Sequence, residues 1–373
     1  MFLKNAWYVA GWSTDFTKDR VTALTVIDEP LVLYRTADDE LVAFDGRCPH
    51  RWAPLELGRI ESDGLRCMYH GVKFDSEGNC IEVPGGGQAS KTLCLRKFVV
   101  EERYSWVWIW MGDPELADPS LIPDAGMMDH AHRRLYKGHM DFEADAELLC
   151  DNLLDLSHVA FVHENTFGRA QEGDEGDPAE RSSTGLMAKR IERGVRSDFW
   201  RTDVAGRKVV QGDDTVGDIW HRTDFMVPGI FLTNMTTYPA GTAELSGGGE
   251  PSEDIVPINS SLTAQAVTPL GRGKTRYFYC FGPQLTDMSK EIADQAWDVF
   301  IEAFAEDKRM IEAQHRMIQQ HPGHRMGSIS ADRGLGMFRV IMSRLKADEA
   351  EIDDKRRASG PGSSADDQLA IAD

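Results

Sequence analysis

The sequence predicts an α+β protein in which an all-β domain precedes a larger domain of strands and helices. In residues 1–115, short runs rich in Val, Leu, Ile and aromatic residues alternate with turn residues, which is typical of a small β domain. From residue 143 onward, two helical patterns flank segments of strand character. This change of pattern predicts two domains of different class in tandem.

The first domain is predicted to fold as a small barrel or sandwich. Its strand-like runs are Val21–Ile27, Leu31–Tyr34, Leu41–Phe44, Val72–Phe74, Cys80–Val83 and Trp106–Trp110. Residues 113–124 contain three prolines, and we expect a linker over residues 116–142.

The second domain is predicted over residues 143–345. Residues 143–162 are rich in Leu and Ala and carry acids in their first turn, which predicts a helix. Residues 186–239 and 256–284 are predicted to be mostly strands, and residues 289–320 to be the longest helix. The apolar stripe of that helix consists of Ile292, Ala296, Phe300, Phe304, Ile311 and Ile318. Residues 346–373 are charged and then rich in Gly, Ser and Asp, and we expect a disordered tail.

Composition excludes several classes of function. The 373 residues include 41 Lys and Arg against 61 Asp and Glu, a net charge of -20, which argues against binding to nucleic acid or anionic lipid. No apolar run approaches the ~18 residues of a membrane span, and the N-terminus lacks the apolar segment of a signal peptide. Six cysteines are too few for a disulfide scaffold. We therefore expect a soluble, reduced, cytoplasmic protein.

Two cysteines and two histidines form the first metal-binding pattern. Cys48 and His50 are followed, after 16 residues, by Cys67 and His70. Each half contributes one Cys and one His, whereas a zinc finger supplies its cysteines and histidines as separate pairs. This arrangement favours a [2Fe–2S] cluster in which one iron takes both thiolates and the other both imidazoles. A zinc site and a chance spacing remain as alternatives.

A second pattern indicates a mononuclear metal. Asp151, Asp155 and His158 share one helical face, and His163 lies about 140° away on a regular helix. Both histidines can therefore reach one metal only if the helix ends or is distorted. A third ligand should be a carboxylate facing the core, as in the 2-His-1-carboxylate sites of Fe(II) oxygenases. Asp307 fits because it lies within the apolar stripe, while Glu306 is expected to be solvated; Glu306 and Asp298 are the alternatives.

These segments resemble a known family. CPHRWAPLELGRIESDGLRCMYHGVKF resembles the Rieske box of the Rieske non-haem iron oxygenases, DNLLDLSHVAFVH their mononuclear-iron segment, and AEDKRMIEAQ their carboxylate segment. The resemblance implies that His158, His163 and Asp307 bind iron, that Asp155 bridges the two metal sites, and that Asn152 lies beside the iron. NAWYVAGW and CPHR resemble the vanillate and dicamba O-demethylase branch.

The resemblance also implies a helix-grip-like catalytic fold, a head-to-tail homotrimer, one [2Fe–2S] cluster and one mononuclear Fe(II). It implies the terminal oxygenase of a multicomponent monooxygenase that uses O2 for O- or N-dealkylation of a small aromatic substrate. Electrons would come from NAD(P)H through a separate reductase or ferredoxin, because no dinucleotide-binding fingerprint is visible. Ring or methyl hydroxylation is the alternative within the class, and a Rieske electron-transfer protein is the alternative outside it.

The charge of residues 46–73 suggests how an electron donor could bind. They carry five basic side chains against three acidic ones, a local net charge of +2 on an acidic chain. A basic rim beside the cluster would steer an acidic ferredoxin or reductase. The alternative is a solvated surface with no partner.

Overall fold

The computed structural model describes residues 2–86, 89–90, 92–129, 133–166, 188–202, 217–285, 289–323 and 325–359. The N-terminal part is all-β. Its strands are β1 (Trp7–Trp12), β2 (Thr22–Val26), β3 (Glu29–Arg35), β4 (Leu41–Asp45), β5 (Arg59–Glu61), β6 (Gly64–Arg66), β7 (Lys73–Phe74), β8 (Cys80–Glu82), β9 (Lys97–Phe98), β10 (Val100–Arg103) and β11 (Trp106–Trp110). They form three antiparallel sheets in the orders β1-β11-β10, β2-β3-β4-β9 and β5-β6-β7-β8.

A tryptophan-rich core joins this domain to the next. Strand β11 lies between β1 and β10, and all five of its residues are buried. The ring of Trp12 packs edge-on against Phe278 of the following domain, with the ring centroids 6.4 Å apart. Its Nε1 donates a hydrogen bond to the carbonyl oxygen of Gly138 at 3.2 Å. The two domains therefore share apolar packing rather than a solvated boundary.

The second domain is built on one antiparallel sheet. Its strands are β12 (Tyr136–Phe142), β13 (Ala188–Ile191), β14 (Gly194–Arg201), β15 (Gly217–Met226), β16 (Ile230–Pro239), β17 (Asn259–Gly271) and β18 (Lys274–Pro283), in the order β12-β18-β17-β16-β15-β14-β13. Its helices are α1 (Ala146–Leu154), α2 (Val159–Val162), α3 (Thr242–Leu245), α4 (Lys290–Gln320) and α5 (Arg333–Ser359). Among the helices of the described ranges, none combines the length and apolarity needed to cross a bilayer.

Helix α4 lies against the sheet through the stripe that the sequence predicts. Phe304 packs against Tyr277 and Tyr279 of β18, with ring centroids 5.2 and 4.7 Å apart. Ser289 caps the helix by accepting a hydrogen bond from the backbone N–H of Ile292 at 3.4 Å. The α+β prediction and the helix over 289–320 are thus confirmed, and one face of the sheet is covered by helices.

The predicted linker is too long at its C-terminal end. Residues 136–142, inside the expected linker of 116–142, form β12 and pair with β18 from Tyr136↔Phe281 to Phe142↔Thr275. The prolines that suggested a linker all precede this strand. They limit the irregular chain to its early part, where short 3₁₀ turns begin at Pro114 and Pro119.

The predicted disordered tail begins too early. Helix α5 continues to Ser359, so 346–359 are helical. Two contacts explain this: the carboxylate of Glu349 accepts hydrogen bonds from the backbone N–H groups of Lys4 and Asn5, and Glu351 pairs with Lys355 one turn later. High charge therefore marks a helix surface here rather than disorder. The remainder of the predicted tail, 360–373, lies outside the described residues.

Candidate functional site

Two loops bring the cysteines and histidines of the first pattern together. One follows β4 and the other connects β6 to β7. Each loop closes on itself, because the N–H of Cys48 donates to the carbonyl oxygen of Ala53 and the N–H of Cys67 donates to that of Val72, both at 2.8 Å. Cys48 and Cys67 are buried, whereas His50 and His70 are exposed.

The two cysteines lie together inside the protein, and the two histidines lie together at its surface. The rings of His50 and His70 have centroids 4.6 Å apart. Burial is the main cause that raises the pKa of the Cys48 thiol to about 11, and the adjacent Cys67 thiol adds to the shift. Two neighbouring thiols inside and two neighbouring imidazoles outside fit a [2Fe–2S] cluster with one iron on each pair. The donor set therefore fits a Rieske cluster better than a tetrahedral zinc ion.

The basic rim expected beside the cluster is largely neutralised. Arg47 pairs with Asp45 and Glu29, and Arg66 pairs with Glu61 and Glu82. The remaining ion pairs of these loops are Arg59–Glu61, Lys73–Glu61 and Lys73–Asp63. Four of the five basic side chains thus face carboxylates, and Arg51 is exposed. The local excess of positive charge does not form a continuous basic surface.

The mononuclear site depends on a break in the helical segment. Helix α1 ends at Leu154, where Asp155 adopts an extended conformation with φ -112° and ψ 90°. A 3₁₀ turn at Leu156–His158 leads into the single turn of α2, and His163 is the residue that caps its C-terminal end. The rings of His158 and His163 then lie with centroids 5.2 Å apart. The distortion that a shared metal would require is therefore present.

Asp307 of α4 meets both histidines. Its Oδ1 lies 3.5 Å from Nε2 of His158 and 3.3 Å from Nε2 of His163. One ligand atom from each of these three residues lies within 4.8 Å of the others. Asp307 and His163 are buried, and Asp298, an alternative third ligand, is exposed. Two imidazoles and one carboxylate grouped in this way match the donor set of a mononuclear Fe(II) site.

Asn152 completes the surroundings of this group. Its Nδ2 donates a hydrogen bond to Oδ1 of Asp307 at 3.0 Å. Its Oδ1 is buried and has no hydrogen-bond partner among the described residues. A buried polar atom without a partner is costly, so this oxygen is suited to face a bound metal, its water or a polar substrate group. That observation supports the fit of iron.

The two histidines differ in their electrostatic surroundings. Burial lowers the pKa of His158, although Asp307 acts in the opposite direction. Burial also pulls down the pKa of His163, but the Asp307 and Glu306 carboxylates outweigh it, so that this pKa is raised. The more acidic surroundings therefore belong to His163.

Glu306 is a residue that the sequence prediction placed wrongly. It was expected to be solvated, yet it is only 6% exposed. Its Oε2 lies 2.9 Å from Nδ1 of His163 and accepts a hydrogen bond from Oγ1 of Thr166 at 2.7 Å. The prediction considered only the sheet-facing side of α4. In the structure Ala303, one turn earlier, is also fully buried, so a second element packs on this other side. No sequence pattern marks that packing.

Asp155 contacts His158 through its backbone. The carbonyl oxygen of Asp155 lies 2.5 Å from Nδ1 of His158, while the carboxylate accepts a hydrogen bond from the N–H of Ser157 at 2.9 Å. Within this chain the backbone carbonyl of Asp155, and not its carboxylate, is the partner of Nδ1 of His158, while the carboxylate caps the turn that carries this histidine. That carboxylate is partly exposed.

Comparisons with known proteins agree with both metal patterns. Residues 6–98 match the family described as the Rieske [2Fe-2S] domain, and residues 142–348 match the vanillate O-demethylase oxygenase C-terminal domain. The chain is 33% identical to the iron-sulfur subunit of the toluene-4-sulfonate monooxygenase system from Comamonas testosteroni, over 92% of this chain and 97% of the relative. It is 31% identical to the vanillate O-demethylase oxygenase subunit from Pseudomonas sp. (strain HR199), over 95% and 98%. The crystal structure of dicamba monooxygenase with non-haem iron and dicamba superimposes with a TM-score of 0.75 and 27% identity, covering 94% of this chain and 99% of that one.

Proposed function

The chain belongs to the Rieske non-haem iron oxygenases with a vanillate O-demethylase-type catalytic domain, and we propose that it removes an alkyl group from a small aromatic ether or amide. It is the oxygenase component of a multicomponent monooxygenase, with one Rieske [2Fe–2S] cluster and one mononuclear iron. We assign the cluster to Cys48, His50, Cys67 and His70, and the iron to His158, His163 and Asp307.

The observation that supports the oxygenase over a simple electron carrier is the meeting of His158, His163 and Asp307 at one point, with ligand atoms within 4.8 Å of one another. When bound, the cluster supplies electrons and the Fe(II) ion supplies the site of O2 activation. His158, His163 and Asp307 would hold the metal through two imidazoles and one carboxylate, a donor set that leaves positions for O2 in Fe(II) oxygenases. Asn152 keeps the Asp307 carboxylate in place.

A small cavity of about 30 Å³ beside the histidine segment is lined by Leu153, Leu156 and Phe225 among others. It has about the volume of one water molecule and is lined by none of the iron-site residues. The proposal of an aromatic substrate is therefore supported by the relatives, which are named for toluene-4-sulfonate and vanillate.

The proposed reaction consumes one O2, two protons and two electrons from NAD(P)H. One oxygen atom of O2 enters a C–H bond of the alkyl group, and the other leaves as water after taking two electrons and two protons. The hydroxylated carbon then loses its bond to the ring-bound oxygen or nitrogen. The products are an aldehyde and either a phenol, when the substrate is an ether, or an N–H amide, when it is an N-alkyl amide.

Hydroxylation of a methyl group or ring is the second candidate. It is favoured by the 33% identity to the toluene-4-sulfonate monooxygenase subunit, because toluene-4-sulfonate carries a ring methyl group and no ether. The two candidates differ in product, since hydroxylation of a ring methyl group releases no aldehyde.

We also propose that the protein works as a head-to-tail homotrimer in the cytoplasm and receives electrons from a reductase, with or without a ferredoxin. One exposed apolar surface supports contact between subunits: Trp52, Met68 and Tyr69 are each more than half exposed on or next to the cluster loops. Phe161, which lies between His158 and His163 in sequence, is also exposed. Such surfaces are expected where one subunit docks on the next.

The test is turnover by the oxygenase reconstituted with a purified reductase and ferredoxin from a relative. Aryl methyl ethers, N-alkyl anilides and toluene-4-sulfonate are supplied in turn, and aldehyde release and NAD(P)H oxidation are measured together. We expect three irons per chain and aldehyde release coupled to NAD(P)H use. Asp307→Ala should lose one iron and all turnover while keeping the Rieske spectrum. Two irons per wild-type chain would contradict the proposal and favour an electron carrier.

A further inference from the structure

We infer that Glu306 is a positioning residue for the iron, which holds His163 in the tautomer and orientation needed for binding the metal through Nε2. This inference rests on the proposed ligand set. The ring of His163 lies between two consecutive residues of α4. Its Nδ1 is 2.9 Å from Oε2 of Glu306, and its Nε2 is 3.3 Å from Oδ1 of Asp307.

One tautomer of the neutral His163 ring suits metal binding through Nε2. A neutral imidazole carries one N–H and one lone pair. If Nδ1 donates its hydrogen to the Glu306 carboxylate, the lone pair lies on Nε2, on the side of Asp307 and His158. Metal-binding histidines commonly donate their second N–H to a carboxylate or carbonyl oxygen, which fixes the ring and makes the ligand more basic.

The burial of Glu306 supports a positioning role for its carboxylate. The residue is 6% exposed, and a buried carboxylate is costly unless it is hydrogen-bonded. Both hydrogen bonds that the structure gives to Oε2 come from the end of the histidine segment, one from His163 and one from Thr166. Thr166 is itself tied to this segment, because its N–H donates to the carbonyl oxygen of His163 at 2.9 Å. Glu306 therefore joins α4 to the end of the segment that carries both histidines.

The two iron-site histidines are held differently. Nδ1 of His158 faces the neutral backbone carbonyl of Asp155, whereas Nδ1 of His163 faces a carboxylate. A charged acceptor forms the stronger hydrogen bond. We therefore expect His163 to be the more strongly donating ligand, and its contribution should depend on residue 306.

Substitutions at 306 separate charge from geometry. Glu306→Gln keeps an oxygen that can accept from Nδ1 but removes the negative charge, and Glu306→Ala removes both. Loss of such an outer partner costs about 10- to 100-fold in metal affinity. We expect Fe(II) to bind about 10-fold more weakly in Glu306→Gln and about 100-fold more weakly in Glu306→Ala. Thr166→Val, which removes one hydrogen bond to the same carboxylate, should give a smaller loss.

The experiment measures anaerobic Fe(II) binding to the full chain by competition with a chelator, with the Rieske absorption spectrum as an internal control of folding. The EPR spectrum of the Fe(II)–nitric oxide adduct supplies a second readout, which should change in Glu306→Gln even where iron is bound. Glu302→Gln is the matched control, because Glu302 lies one turn earlier on α4 and is exposed.

Wild-type Fe(II) affinity and an unchanged EPR spectrum in Glu306→Gln would overturn the inference. If Glu306→Ala fails to fold, Glu306→Gln and Thr166→Val still decide the matter. Asp307→Ala separates this question from the proposed ligand set. Loss of iron in Asp307→Ala with normal binding in both Glu306 variants overturns only the role of Glu306, whereas normal binding in Asp307→Ala overturns the ligand set itself.

Discussion

Asn152 and Asp307 lie 155 positions apart in the chain, yet Nδ2 of Asn152 donates a hydrogen bond to Oδ1 of Asp307 at 3.0 Å. The bond connects α1, before the helix break, to α4, which supplies the carboxylate. It restricts the rotation of a side chain whose Oδ1 also faces both histidines. This one hydrogen bond therefore connects α1 to α4 and also orients the Asp307 carboxylate.

Replacing Asn152 should weaken iron binding without removing the site. In Asn152→Ala the Asp307 carboxylate loses its hydrogen bond and gains freedom to turn, so we expect Fe(II) to bind about 10-fold more weakly. The Rieske spectrum should be unchanged. Chelator competition measures the affinity.

Asn234→Ala is the control for that substitution. Asn234 lies in β16 opposite Arg222, and its Oδ1 is likewise buried without a hydrogen-bond partner among the described residues. Among the described residues, its Oδ1 makes no hydrogen bond to the iron-site group. Equal losses of iron in both variants would show that the effect comes from the packing of the domain and not from Asp307.

Glu349 is predicted to stabilise the contact between the chain's N-terminus and α5. The residue is 8% exposed, and its carboxylate accepts hydrogen bonds from the backbone N–H groups of Lys4 and Asn5. Glu349→Ala leaves both groups without this partner, and we expect the free energy of unfolding to fall by about 2 kcal/mol. Urea denaturation of the cluster-loaded chain measures this change.

Glu351→Ala provides the comparison on the same helix. The Glu351–Lys355 pair is exposed, with side chains 66% and 73% accessible, and such pairs contribute about 0–1 kcal/mol. A fall in Glu349→Ala no larger than that of Glu351→Ala would mean that the N-terminus is held by its apolar contacts alone.

The elements that could be predicted from sequence are those whose signal is local. The pairs Cys48–His50 and Cys67–His70 each lie within one short loop, so the pattern of a cluster site is visible from their spacing in the sequence. The helix over 289–320 was equally clear, because its apolar stripe extends over many turns.

The errors arose where the partner of a segment is distant in sequence. Glu306 was expected to be solvated because the period of α4 shows one apolar face but not the second element against the other side. The tail was expected to be disordered because its charges gave no sign of the hydrogen bonds that Glu349 accepts from the N-terminus. In the linker, Tyr136, Met140 and Phe142 of β12 alternate with polar residues, and the prediction overlooked this strand pattern. Only the pairing of β12 with β18 depends on a partner distant in sequence.

The Rieske cluster should have a reduction potential in the lower part of the range of about -150 to +300 mV that such clusters span. Cys80 and Cys94, which lie outside the ligand loops, are free thiols, so no disulfide lies beside the cluster. The net charge of -20 opposes the addition of an electron. Voltammetry of the purified chain measures the midpoint, and a value above about +100 mV would be inconsistent with this expectation.

The last prediction concerns the Asp155 carboxylate. Because the backbone carbonyl of Asp155, and not its side chain, faces Nδ1 of His158, Asp155→Asn should leave His158 correctly oriented. We therefore expect the variant to keep both metals and to bind substrate normally. If the carboxylate bridges to His70 of a neighbouring subunit, as the family resemblance implies, electron transfer from cluster to iron should nevertheless become severely slower. Single-turnover oxidation of the reduced cluster in the presence of substrate and O2 measures this rate.

Mixed trimers test whether that route passes between subunits. Cys48→Ala chains lack a cluster ligand and His158→Ala chains lack an iron ligand, so neither should turn over alone. Combined in one trimer, a cluster of one chain can serve the iron of the other, and some activity should return. Adding Asp155→Asn to the chain that keeps its iron should abolish the recovered activity, while adding it to the chain that keeps its cluster should not. Mixed trimers that contain both metals and remain inactive would exclude the route, because the inter-subunit path is then the only one available to them.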